Sequence, residues 1–195
     1  MTTRRIASLS LAGMALAASL CTALPAMAQN ATPKVQLKTS MGDIVLELNE
    51  AKAPKTVANF MQYVRDKHYD GTVFHRVMDG FMIQGGGMDA SLKEKPTRAP
   101  IPLEADNGLK NDRGTIAMAR TGNPNSATSQ FFINVVNNDM LNAPKPDGHG
   151  YAVFGRVVQG IDVVDKIRTV ATGNQGMHQN VPTKPVTILS ATEVK

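Results

Sequence analysis

Eight short apolar runs, spaced by segments rich in glycine, proline and asparagine, constrain this chain more than any other feature. Val35–Thr39 and Ile44–Leu48 alternate apolar with polar residues and are joined by Ser40–Asp43, a pattern that reads as a β-hairpin with one buried face. Thr72–Met78 and Phe81–Gln84 flank Asp79-Gly80, a tight-turn signal. Gly114–Ala119, Gln130–Val136, Tyr151–Val158 and Val186–Val194 complete the set. Only two stretches carry a helical period. In Pro54–Asp66, Val57, Phe60, Met61 and Val64 recur at i, i+3, i+4 and i+7 behind a proline suited to a first helical turn. In Ile161–Arg168, the residues Ile161, Val164 and Ile167 share a face. Helices do not alternate with strands, which disfavours a parallel βαβ sheet. The expected fold is mainly β, an eight-stranded antiparallel closed barrel capped by two helices. Met88–Arg113, Arg120–Thr128, Asn137–Gly150 and Thr169–Pro185 read as loops. Pro96, Pro100 and Pro102 bar long regular elements from the first of them.

The first 28 residues stand apart. Arg4 and Arg5 precede an uncharged apolar stretch, Ile6–Leu20, and Ala26-Met27-Ala28 fits a small-residue cleavage pattern. The expectation is a cleavable secretory signal peptide over 1–28 and a single domain over 29–195. The apolar stretch is shorter than the ~20 residues of a membrane span, so no membrane association is expected after cleavage. The lone cysteine, Cys21, leaves with the leader, and the mature protein has neither a disulfide nor a thiol nucleophile. Loss of two arginines leaves 19 basic against 16 acidic residues, dispersed in sequence. That balance argues against a nucleic-acid partner.

Common catalytic patterns are missing. There is no G-x-S-x-G, no G-x-x-x-x-G-K-[ST] and no G-x-G-x-x-G after a strand. His68, His75, His149 and His178 are scattered, so no metal site is expected. His75, inside a strand, reads as a hydrogen-bonded structural histidine. What remains is a polar and aromatic set. Phe74–Gly87, FHRVMDGFMIQGGG, supplies Arg76, Phe81, Met82 and Gln84 and ends in three glycines that free the backbone to leave the strand. Arg76 is awkward in an apolar strand: a cation there must reach a rim or be paired. Gln130 and Phe132 share a face by the strand period of two, with Phe131 and Ile133 turned to the core. The set suits an apolar side chain held beside a polar backbone, with no evident proton-transfer or covalent group.

Tyr69–Gly86, YDGTVFHRVMDGFMIQGG, resembles the signature of the cyclophilins, the peptidyl-prolyl cis-trans isomerases. Gly114–Ala119, Ser129–Ile133 and Tyr151–Val158 agree with that family in order and spacing, and the short loops and leader are most similar to its periplasmic bacterial members. The resemblance implies Arg76 as the catalytic arginine. It implies a proline pocket of Phe81, Met82, Phe132 and Leu141, with Gln84 and Gln130 holding the substrate backbone and Ala119, Arg120 and Thr121 lining the groove. Met140 stands where many members have tryptophan, Tyr151 where they have histidine, and Arg120 where they often have asparagine. The tryptophan replacement implies weak or no cyclosporin binding. The expected partners are proline-containing segments of unfolded exported proteins, met by a monomer without metal or cofactor.

An X–Pro bond resists rotation through amide resonance, with a barrier of ~18–20 kcal/mol. Twisting makes the prolyl nitrogen pyramidal and basic, so an arginine donor can meet it only near the transition state. A 10⁵-fold acceleration requires about 7 kcal/mol. One charge-assisted hydrogen bond with positioning and partial desolvation is of that order. The alternative is a scaffold or chaperone that grips proline segments without relevant turnover.

Overall fold

The computed structural model describes residues 1–2 and 32–194. The expected leader, but for its first two residues, therefore falls outside the described residues. Within Ala31–Lys195, the chain opens with a hairpin of β1 (Lys34–Thr39) and β2 (Gly42–Leu48). Val35, Leu37, Ile44, Leu46 and Leu48 turn inward and are fully buried, so the alternating pattern has become one face of a sheet. Helix α1 (Pro54–Arg65) follows with proline in its first turn. Ala53, the residue before it, offers no capping side chain. Glu104, 48 residues beyond Thr56, caps instead: its carboxylate accepts from Lys55 N (3.1 Å), Thr56 N (2.8 Å) and Thr56 Oγ1 (2.7 Å). One carboxylate thus answers orphan N–H groups and the positive helix end together, and ties the long irregular loop to α1.

Strands β3 (Phe74–Met78), β4 (Met82–Gly85), β5 (Thr115–Met118), β6 (Phe131–Asn134), β7 (Val153–Gln159) and β10 (Ile188–Val194) join the first hairpin in one antiparallel sheet. Its order is β10-β1-β2-β7-β5-β6-β4-β3. The expected closed barrel is corrected here. The sheet curls strongly, but its end strands β3 and β10 form no ladder. The seam is crossed by one isolated bridge, Val73 with Thr187, and by backbone bonds from Phe74 N to Val186 O (2.9 Å) and Ile188 N to Thr72 O (2.8 Å). Helix α2 (Ile161–Arg168) buries Val163, Val164 and Ile167. Val163 packs so closely on the β1–β2 turn that a Cβ at Gly42 would stand 2.8 Å from its Cγ2.

Residues 169–185, read as loop, contain a second sheet, β8 (Thr172–Gln175) with β9 (His178–Pro182). Every β8 side chain is exposed, so no apolar alternation marks the hairpin in sequence. The Asn137–Gly150 loop holds one 3₁₀ turn, Asp139–Leu141.

Two apolar clusters divide the strands by face. The main core takes Phe60, Tyr69, Phe74, Phe131, Ile133 and Phe154. Phe60 is its aromatic hub, with ring centroids 5.0 Å from Tyr69, 5.7 Å from Phe131 and 5.2 Å from Phe154. The smaller cluster, on the opposite face, contains Met82, Ala117, Phe132, Leu141 and Val153, with Phe81 and Tyr151 packed against it.

Candidate active site

Arg76 leaves the apolar interior through an irregularity in β3. Phe74 pairs with Gly85 and Arg76 with Gln84, so β3 advances two residues while β4 advances one. His75 is the extra residue of a bulge. Strict alternation would put Arg76 on the face of Phe74. The bulge breaks it, leaving Phe74 and Val77 in the main core and Arg76 half-buried on the other face. The turn Asp79-Gly80 follows, with Gly80 at φ +77° and Phe81 N bonded to Met78 O (3.1 Å).

Pairing carries this face across four strands. Arg76 lies opposite Gln84, Gln84 opposite Phe132, and Phe132 opposite Ala117. At about 4.8 Å between strands, Arg76 stands roughly 10 Å from Phe132. Gln84 donates from Nε2 to Gln130 Oε1 (3.0 Å), which orients both amides. Above the row lies a pocket of about 160 Å³ lined by Arg76, Phe81, Met82, Gln84, Phe132 and Leu141, with Ala119, Arg120 and Tyr151 on its far side. Its floor is apolar and its rim carries a guanidinium and an amide. Six of the seven arginines among the described residues have a side-chain hydrogen bond or ion pair. The seventh is Arg76, which faces the pocket.

The pocket is small and sets the apolar side chains of Phe81, Met82, Phe132 and Leu141 beside the polar groups of Arg76 and Gln84. The description "Cyclophilin type peptidyl-prolyl cis-trans isomerase/CLD" matches residues 34–193. The chain belongs to the cyclophilin family. A peptidyl-prolyl cis-trans isomerase of Streptomyces antibioticus is 62% identical over 159 residues, covering 80% of this chain and 96% of that one. Peptidyl-prolyl cis-trans isomerase B of Escherichia coli is 58% identical over 160 residues, with 81% and 98% covered. Peptidyl-prolyl cis-trans isomerase A of Dickeya dadantii is 52% identical over 185 residues, with 95% and 97% covered. A crystal structure of a Cryptosporidium parvum cyclophilin, solved in the presence of the dipeptide Ala-Pro, superposes with TM-score 0.69 at 26% identity and covers 83% of this chain and 99% of that one.

Of the cyclophilin site residues expected from sequence, Arg76, Phe81, Met82, Gln84, Ala119, Arg120, Phe132, Leu141 and Tyr151 converge on the pocket. Gln130 stands behind Gln84. Thr121 is exposed and its hydroxyl bonds Ser126 Oγ (2.8 Å). Met140 points to solvent, 59% exposed. Arg120 is not free to grip a ligand. Its side chain is 1% exposed. Its guanidinium donates to Gly150 O (2.8 and 3.0 Å), Thr121 O (3.0 Å) and Asp147 Oδ1 (2.8 Å) and lies 4.5 Å from the Tyr151 ring centroid. The Arg120 hydrogen bond holds the Asp147 carboxyl below the usual range. Tyr151 meets Phe132 edge-on at 5.6 Å, so Arg120 buttresses the pocket floor through that ring.

The three glycines after Gln84 serve packing more than ligand approach. Gly86 has φ +85°, and a Cβ there would stand 2.8 Å from the Phe131 ring and 2.9 Å from Tyr69. A Cβ on Gly87 would strike the Gln130 side chain. His75 also departs from expectation: it is 5% exposed and its Nδ1 has no hydrogen-bond partner. Burial, then the neighbouring His178 and Arg76, lowers its pKa to about 4, so it is a buried imidazole that stays neutral near pH 7 and is a weak base. The reading of single residues missed Asn111, Asn134 and Asn138, all buried behind the pocket walls. The signal was present in the asparagine-rich run 134–142 and in Asn134, two residues from Phe132 on the same face. Among the described residues no group of histidine, cysteine, aspartate or glutamate could hold a metal.

Proposed function

We propose that this cyclophilin accelerates cis–trans rotation about X–Pro bonds in proline-containing segments of exported proteins, with Arg76 as the group that acts on the amide. The observation that carries the reading is the uncommitted Arg76 guanidinium on the wall of a small pocket whose apolar side is Phe81, Met82, Phe132 and Leu141. The pocket of Phe81, Met82, Phe132 and Leu141 holds the prolyl ring. Gln84, fixed by Gln130, meets the flanking carbonyl, and the β5 end at Ala119 offers main chain to the peptide. The two ends of the amide are then held apart, one in the pocket and one along the groove. As the bond twists, resonance is lost and the prolyl nitrogen gains a lone pair that Arg76 meets with an N–H. In the planar ground state that lone pair is delocalised into the carbonyl, so the hydrogen bond favours the transition state alone. No bond to carbon forms or breaks.

A protease-free assay on an X–Pro peptide tests this. Arg76→Ala should lower kcat/KM about a hundredfold or more, with the thermal midpoint within a few degrees of the parent. Unchanged activity would refute the role of Arg76. A peptide-holding role without turnover would leave that guanidinium without a task.

The compartment belongs to the same proposal. Residues 1–28 act as a cleaved leader, and the mature protein works in the periplasm as a monomer. The charged start at Arg4 and Arg5, the uncharged apolar stretch Ile6–Leu20 and the small-residue site Ala26-Met27-Ala28 support the leader. Mass spectrometry of the exported protein should find Gln29 at its N-terminus. Met140 in place of the family's frequent tryptophan, exposed beside the pocket, makes cyclosporin a weak ligand.

A further inference from the structure

Three walls of the pocket come from segments that no common ladder holds. Phe81 sits in the β3–β4 turn, Leu141 ends the 3₁₀ turn, and Tyr151 precedes β7. Behind them lies a continuous chain of buried amides. Asn138, 2% exposed, donates from Nδ2 to Phe81 O (2.8 Å) and to Asn134 Oδ1 (2.7 Å). Asn134, fully buried, donates to Asn111 Oδ1 (3.2 Å) and Thr115 Oγ1 (3.0 Å). Asn111, 1% exposed, reaches Leu141 O (3.2 Å) and Tyr151 O (3.5 Å). The main chain closes the loop, through Asn138 N to Asn111 O (2.8 Å) and Tyr151 N to Leu141 O (3.0 Å).

Three buried amides are costly unless bonded, and an apolar outer face would have done as well for packing alone. What these amides add is direction: they bond the backbone oxygens of Phe81, Leu141 and Tyr151 and one another, with Thr115 Oγ1 and Asn142 Oδ1 as the remaining acceptors. We propose that Asn111, Asn134 and Asn138 are positioning residues of the reaction, a polar frame that sets the spacing of Phe81, Leu141 and Tyr151 around the prolyl ring. The proposal rests on the isomerase reading above. The frame acts on the ring in the planar and the twisted amide alike, so its loss weakens binding of both. Arg76 acts only on the twisted form. The two roles therefore separate in kinetics.

The test is NMR exchange on an Ala-Pro peptide, which yields KM and kcat for the parent, Asn138→Ala and Asn138→Asp. A core variant away from the pocket, Ile188→Val, controls for lost stability. Asn138→Ala should raise KM about tenfold and leave kcat within about twofold, while Ile188→Val leaves both unchanged. Asn138→Asp should raise KM when ionised, since a carboxylate cannot donate to Phe81 O. As pH falls the buried acid gains a proton and a donor, and its KM should return toward that of the parent at the same pH. Should Asn138→Ala fail to fold, that pH-dependent ratio decides alone. Unchanged KM in the Asn138 variants beside an active parent, or a ratio flat in pH, overturns the frame and leaves the isomerase reading intact. A parent that neither binds nor turns over the peptide overturns both.

Discussion

A single inserted residue decides where the key cation points. With His75 as the extra member of the β3 bulge, Phe74 and Val77 keep the core and Arg76 gains the pocket. Sequence showed the conflict, a cation among apolar neighbours, but not its resolution, because a bulge has no composition of its own. Arg120 is the opposite case. Its identity was legible and its role was not, since the partners Gly150 and Asp147 lie about thirty residues away. Replacing it by methionine removes the bonds to the 142–150 loop and the cation over Tyr151. The expected cost is about 1–3 kcal/mol in urea denaturation, with weaker peptide binding. A variant as stable and as tight-binding as the parent would contradict the buttress. Gly86→Ala should cost about 2 kcal/mol or more by the same measurement, because φ +85° and the Phe131 and Tyr69 rings both resist a methyl group. Tyr69 belongs to this packing: its phenol donates to Ser129 O (3.0 Å) and burial pushes its pKa well above the ordinary value.

At the level of elements, patterns with an apolar period were readable and those without one were not. Both helices and all eight strands of the main sheet show as short apolar runs or a 3.6-residue period, and their ends shift by no more than two residues. The β8–β9 hairpin, polar along its exposed face, left no such trace. Neither did the cap of α1, because Glu104 arrives from a loop with no regular structure. Glu104→Gln keeps a hydrogen-bonding oxygen but loses the charge at the helix N-terminus. It should lower stability by about 1 kcal/mol, read as a shifted urea midpoint with unchanged slope. No shift would mean that α1 is held by its apolar face alone. The pocket was legible in its floor, which strand period supplies, and illegible in its frame, since asparagines in a loop look like surface turns until their partners are known.

For the whole molecule, the site depends on one sheet that runs unbroken from β3 through β4 and β6 to β5. Arg76 on β3 and Phe132 on β6 share a face only because pairing continues through β4. The seam beyond β3, bridged at Val73 and Thr187 rather than laddered, could not be read from eight strand patterns, which fix the number of strands and not whether the last meets the first. Acid should loosen the whole assembly. The unfolded His75 takes a proton near pH 6.5 and the folded one near 4. Its contribution is therefore complete above pH 6.5 and is lost as pH falls from 6.5 to 4, on the order of 3 kcal/mol in all. His68, whose pKa burial and Lys95 also lower, adds in the same sense. The thermal midpoint should fall across that window, and His75→Gln should flatten the fall; an identical acid limb in that variant would contradict the assignment. The central claim, that an uncommitted guanidinium stabilises the twisted amide, is tested most directly by NMR exchange on a bound X–Pro peptide with the parent and Arg76→Ala. The predicted result is a peptide that still binds Arg76→Ala within a few-fold of the parent while its cis–trans exchange slows about a hundredfold or more. Exchange as fast in the variant as in the parent would contradict it.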